Sequence, residues 1–123
     1  MIHFDTNFLI QISVPGSVAS NQFDAWTAIP QILNVSTVAR AEFLCGPLGA
    51  EEKVLARQIF PSPEPFLQSD ALLAASLFNK TGRRSRSLAD CMIAAVAMRC
   101  GARLATLNAG DFQPFAQHGL VLA

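Results

Sequence analysis

The sequence predicts a three-layer α/β/α domain with a mainly parallel central sheet. Three observations predict it. Short apolar runs of strand length alternate with longer segments of helical period, and strands separated by helices need crossover connections, which make neighbouring strands parallel and put helices on both faces. The 123 residues match the usual size of one domain, expected to span residues 1–123. With 51% hydrophobic and 15% charged residues, the chain has enough apolar surface to fold as a globule rather than remain disordered.

Ile2 to Phe4 reads as a first strand, followed by Asp5 and Thr6, which suit the cap of a short helix carrying Phe8, Leu9 and Ile12. A helix from about Val18 to Thr27 leads to a second strand at Ile32 to Val35. Ser36 or Thr37 then caps a helix that contains Glu42 and stops near Gly46 and Pro47. Glu51 to Phe60 is predicted as a helix, Pro65 to Leu67 as a weak strand, and Asp70 to Lys80 as a helix ended by Gly82. Ser87 caps a helix running to Cys100 and Gly101; Arg103 to Leu107 is a strand, a polar turn follows, and Leu120 to Leu122 closes the sheet. No internal repeat or linker divides the chain, although Pro61, Pro63 and Pro65 mark a loop near its middle.

Composition limits the function classes. A formal net charge of zero argues against a passive, strongly basic nucleic-acid coat, so contact with nucleic acid must come from local patches. Cys45, Cys91 and Cys100 are odd in number, lack C-x-x-C spacing and read as reduced core residues. The longest apolar run, Cys91 to Met98, falls short of the ~20 residues needed to span a bilayer. The first five residues have neither the basic start nor the apolar core of a secretory signal, so a cytoplasmic location is expected.

Function follows from where acids fall, because ligands of open parallel sheets bind beyond the carboxyl ends of the strands. Asp5 directly follows the first strand, and Asp111 lies in the turn after the strand ending near Leu107. Glu42 and Asp90 occupy early turns of helices that begin at the same edge. Helical spacing places Asp90 on a face with Ile93, Ala94 and Ala97, and Glu42 on one with Val38, Ala41 and Cys45. Carboxylates crowded in a partly desolvated pocket repel one another, and a divalent cation is the simplest way to neutralise them. An all-oxygen donor set selects Mg²⁺ or Mn²⁺, hard ions that also take phosphate oxygens. Singly, three of the four acids have a structural reading: Asp5 as a helix cap, Asp90 in the capping-box pattern Ser87-x-x-Asp90, and Asp111 in the plain turn Asn108-Ala-Gly-Asp111; Glu42 is harder to dismiss, because a glutamate on an apolar helix face is uncommon. Their shared edge favours the metal site.

Asp5-Thr6-Asn7, Ser36-Thr37 with Glu42-Phe43-Leu44 and Gly46, Asp90 with Ile93-Ala94-Ala95, and Leu104-Ala-Thr106-Leu-Asn108-Ala-Gly-Asp111-Phe112 together resemble PIN domains. Order and spacing resemble the VapC toxins most, over nearly the whole chain from Ile2 to Val121. The resemblance implies a PIN-like fold and an endoribonuclease that hydrolyses RNA phosphodiesters with metal-activated water. In that family Mg²⁺ or Mn²⁺ is held by acids at the positions of Asp5, Glu42, Asp90 and Asp111, and Thr6, Thr106 and Asn108 match the polar residues around them. It also implies a homodimer, or a higher assembly, silenced by a cognate antitoxin protein encoded beside it. The segment from Pro61 to Pro65 departs from the family by replacing a cleaner third strand. A PIN nuclease that processes RNA without being a toxin fits the same residues.

Arg83, Arg84 and Arg86 form the one basic cluster, just ahead of Asp90, where guanidinium groups can grip RNA phosphates or simply be a solvated loop. Arg40 reads as a surface residue of its helix, His3 as a structural histidine, and Trp26 with the nine phenylalanines chiefly as core. Other classes compete. A phosphatase with an aspartyl nucleophile wants a second acid two residues after Asp5, where Asn7 stands; a receiver-like signalling module wants adjacent acids there and a late lysine.

Overall fold

The structure is a computed structural model and describes residues 1–47, 49–82 and 88–123. At its centre lie three parallel strands, β1 (Ile2–Phe4), β2 (Leu33–Asn34) and β3 (Arg103–Ala105), in the order β2-β1-β3. His3 stands opposite Asn34 on one side and Leu104 on the other. Parallel neighbours cannot be joined by a tight turn. The chain therefore passes from β1 to β2 through α1 (Thr6–Ile12) and α2 (Val18–Thr27). It passes from β2 to β3 through α3 (Thr37–Cys45), α4 (Ala50–Ile59), α5 (Gln68–Lys80) and α6 (Leu88–Arg99), and α7 (Ala109–Ala116) follows β3.

Each face of the sheet carries its own core, which makes three layers. Ile2, Phe4 and Ala105 pack with Phe8, Leu9, Val35, Phe43 and Phe60 on one side. Leu104 packs with Ala74, Leu77, Ile93, Phe112 and Phe115 on the other. The opposite destinations of Leu104 and Ala105 are the two-residue alternation of a strand. Phe4 centres an aromatic cluster, with ring centroids of Phe8, Phe60, Phe23 and Trp26 at 5.3, 5.6, 5.8 and 6.0 Å, so these rings fill the core as expected. No helix among the described residues is long and apolar enough to cross a membrane.

Several local expectations need correction. Pro65 to Leu67 forms no strand. The pairing falls one residue earlier, where the Glu64 N–H donates to Val35 O and the Thr37 N–H to Glu64 O, both at 2.8 Å, as an isolated parallel bridge. Prolines at 63 and 65 lack the N–H that would extend it. Leu120 to Leu122 likewise shrinks to a bridge between Leu122 and Leu104. The expected polar turn after β3 is helix α7, with Pro114 inside it. Arg40 is not a free surface residue: its guanidinium donates to Phe60 O at 2.7 Å and to Ala56 O at 2.8 Å, the latter shared with the Phe60 N–H, and so ties α3 to the end of α4. Cys91 is buried as expected, but Cys45 is exposed. The expected Ser87 cap lies outside the described residues, as do Arg83, Arg84 and Arg86.

Candidate metal centre

The carboxyl ends of β1 and β3 deliver the first acid. The Asp5 N–H donates to Ala105 O at 3.1 Å, continuing the ladder by one residue before the chain turns into α1. Asp5 Oδ1 accepts the Phe8 N–H at 2.9 Å, the ordinary capping bond of a helix start. Oδ2 accepts the Thr106 hydroxyl at 2.5 Å, and Thr106 Oγ1 accepts the Asn108 N–H at 2.9 Å. Both carboxylate oxygens of Asp5, a residue only 3% exposed, are thus held, one by the first turn of α1 and the other by Thr106 just past β3.

The other acids converge from three helices. Glu42 projects from α3, and its Oε1 accepts the Thr6 hydroxyl at 2.7 Å, linking α3 to α1. Glu42 is exposed, as are Ala41 and Cys45; the buried face of α3 carries Ala39 and Phe43, so the apolar face expected around Glu42 is not found. Asp90 is half-buried in the first turn of α6, and Asp111 is exposed in the first turn of α7. Asp5, Glu42, Asp90 and Asp111 line one open cleft, together with Thr6, Asn7, Ile93, Asn108 and Phe112. No lysine, arginine or histidine is among these described lining residues.

The electrostatic consequence is visible in the acids themselves. Burial, then the charges of Asp111, Glu42 and Asp5, push the Asp90 carboxyl up to about 6. Burial also raises the Asp5 carboxyl, against the opposing bonds from Thr106 and Phe8, with Glu42 and Asp111 adding to the rise. Ile93 and Phe112 supply the apolar wall that makes these charges costly.

The sequence profile of the PIN domain matches residues 2–116. This chain belongs to the PIN domain family. No curated protein matches it by sequence. Among solved structures, this PIN domain is similar to VapBC2 of Rickettsia felis, bound to a promoter DNA fragment, at 16% identity and TM-score 0.78, covering 100% of this chain and 98% of that one. It is also similar to the sarcin-ricin loop cleaving toxin VapC20 of Mycobacterium tuberculosis, at 19% identity and TM-score 0.73 over 100% and 98% of the two chains. A toxin-antitoxin complex from Klebsiella pneumoniae matches at 24% identity and TM-score 0.73 over 91% and 90%. At such identities the likeness is one of fold.

Among its described residues this PIN domain has no ready-made set of three or more acidic, histidine or cysteine ligands. Four anions facing one cleft without a counter-charge repel, and Mg²⁺ keeps several waters while using one or two carboxylates directly. Oxygen donors, a shared cleft and a raised carboxyl on Asp90 fit such an ion. The structure brings Asp5, Glu42, Asp90, Asp111, Thr6 and Asn108 to one cleft, with Thr106 bonded to Asp5. Asn108 is tied to this group through its backbone N–H rather than a side-chain bond to an acid. Asn7, part of the Asp5-Thr6-Asn7 motif but without an expected place in the site, also lines the cleft. His3 is buried in β1, among the charges of Glu64, Arg99 and the N-terminus rather than those of the cleft; neither ring nitrogen is bonded among the described residues, and burial lowers its pKa to about 4.

The raised carboxyls set a pH dependence. An acid whose folded pKa lies above its unfolded value contributes stability below the unfolded pKa and loses it as pH rises through the folded one. For Asp90 the window runs from the ordinary carboxylate value of 3.8 to about 6. The metal-free protein therefore loses the Asp90 contribution across this window, whereas Mn²⁺, which binds the ionised carboxylates, raises Tm only above it. Thermal scans with EDTA or Mn²⁺ at about pH 4.5 and about pH 7.5 check this; an equal Mn²⁺ effect at both would contradict it.

Proposed function

We propose that this PIN domain is a Mg²⁺- or Mn²⁺-dependent endoribonuclease and the toxin of a toxin-antitoxin pair. The observation that carries the reading is the convergence of four carboxylates from four elements on one cleft with no cationic side chain among its described lining residues. Asp5, Asp90 and Glu42 would hold the ion, directly or through water, and Asp111 would complete the site or hold a second ion. When bound, the ion lowers the pKa of water and offsets negative charge developing on the phosphate.

The chain's own groups do the rest. Thr106 and the Phe8 N–H hold the Asp5 carboxylate at a fixed orientation, and Thr6 holds Glu42. Asp111, exposed in the first turn of α7, accepts the proton of the attacking water and returns it to solvent. In-line attack breaks the P–O3′ bond and leaves a 5′-phosphate, while the departing 3′-oxygen takes a proton from solvent to become the 3′-hydroxyl. The toxin reading draws on the resemblance to VapC proteins and on fold relatives described as toxin-antitoxin assemblies. It carries with it a homodimer and a cognate antitoxin as partners.

Two measurements test it. Purified protein should cleave single-stranded RNA with Mg²⁺ or Mn²⁺ and stop when EDTA removes the ion; cleavage that persists in EDTA rejects the metal mechanism. Controlled expression should arrest growth, with relief by the short reading frame expected beside this gene. Cleavage without arrest would leave a PIN nuclease of RNA processing in place of the toxin.

A further inference from the structure

We infer that the side-chain amides of Asn7 and Asn108 are the cleft's substrate-holding donors, giving N–H bonds to sugar-phosphate oxygens of bound RNA; this rests on the ribonuclease reading. An RNA strand brings further negative charge to a cleft already walled by four carboxylates. An ion held by those acids serves only oxygens within its own coordination sphere. Neighbouring backbone oxygens need other donors, and only Thr6, Asn7 and Asn108 supply side-chain N–H or O–H groups among the described lining residues.

Thr6 is already committed, since its hydroxyl hydrogen goes to Glu42 at 2.7 Å. Asn7 is exposed in the first turn of α1, and its side chain makes no hydrogen bond among the described residues. Asn108 sits at the N-cap of α7, where an asparagine side chain ordinarily accepts a backbone N–H from the first turn. It makes no such bond. Its backbone N–H goes to Thr106 and its carbonyl accepts the Asp111 N–H at 2.9 Å. Two neutral amides, one beside Asp5 and one at the start of the helix bearing Asp111, are therefore uncommitted. Neutrality suits the place: a lysine or arginine here would pair with the carboxylates and compete with the ion, whereas an amide donates without doing so.

The test uses the whole chain, a fluorescein-labelled single-stranded RNA and Ca²⁺ in place of the catalytic ion, read by anisotropy. Asn7→Ala and Asn108→Ala should each weaken RNA binding about tenfold, with the Mn²⁺-induced rise in Tm unchanged because neither amide holds the ion. A DNA strand of the same sequence identifies the acceptor: an equal loss on DNA supports phosphate oxygens, and a loss on RNA alone supports the ribose hydroxyl. RNA affinities within twofold of the parent for both variants would overturn the inference, as would a parallel loss of the Mn²⁺ effect. A parent chain that binds RNA without cleaving it removes the nuclease reading and leaves the amide effect measurable. One that binds no RNA overturns both.

Discussion

Asp5→Asn and Asp90→Asn each reduce metal-dependent RNA cleavage by about 10²–10³-fold or more, the size associated with losing one preorganised electrostatic group at a reacting centre. The asparagine at position 5 is the informative change because it separates charge from structure. Its amide oxygen can still accept the Phe8 N–H that starts α1, so the fold is kept while the carboxylate is lost. Asp5→Ala also removes that cap and costs about 1 kcal/mol in stability. At position 90 the stability effect has the opposite sign. A half-buried carboxyl raised to about 6 is repelled by three others, so its neutral replacement should raise the Tm of the metal-free protein near neutral pH. Cleavage at saturating Mn²⁺, with thermal scans in EDTA, measures both. Activity within threefold of the parent for either asparagine variant would remove that acid from the proposed site.

Arg99→Ala destabilises the protein by about 3 kcal/mol, the low end of the range for breaking a buried ion pair from one side. Arg99 closes α6 and clamps two other segments. Its Nε donates to Asp70 Oδ1 at 2.8 Å, one terminal nitrogen to Glu64 Oε1 at 3.0 Å and the other to Pro65 O at 3.0 Å. Asp70 in turn accepts the Leu67 N–H at 2.8 Å and is 1% exposed. Without Arg99 that carboxylate keeps one backbone donor and no counter-charge in a place water does not reach. The low end applies because the Arg99 side chain is 26% exposed. Glu64→Ala removes only the more solvent-accessible partner and should cost below about 1 kcal/mol. Urea unfolding of the two variants checks the order. Adding Asp70→Asn to Arg99→Ala should recover part of the loss; equal small losses for Arg99→Ala and Glu64→Ala would contradict the account.

Much of this fold can be read from local pattern. The helices containing Phe8, Glu42 and Leu77 were expected near where they occur, because caps such as Ser36 and stops such as Gly82 act through neighbouring backbone groups. α7 was missed for an equally local reason. Gly110 and Pro114 are poor helix formers, and the segment is helical because Phe112 and Phe115 bury themselves against the core under α6. The edge pairings of Glu64 and Leu122 were misread in extent, since one bridge between distant segments leaves almost no periodic trace. Arg40 and Arg99 look like surface residues in sequence, and only packing reveals that they satisfy carbonyls and a carboxylate from other elements.

For the site, sequence alone determined which acids stand at strand ends and helix starts, because strand and helix boundaries are set by nearest neighbours along the chain. Tertiary structure decided that Asp5, Glu42, Asp90 and Asp111 share a single cleft, that Glu42 stands in solvent rather than on an apolar face, and that Thr106 grips Asp5 from a hundred residues away. It also decided that Asn7 and Asn108 keep their amides free. Desolvation and mutual repulsion depend on distances between groups that only chain folding brings together, and they give Asp90 its raised pKa.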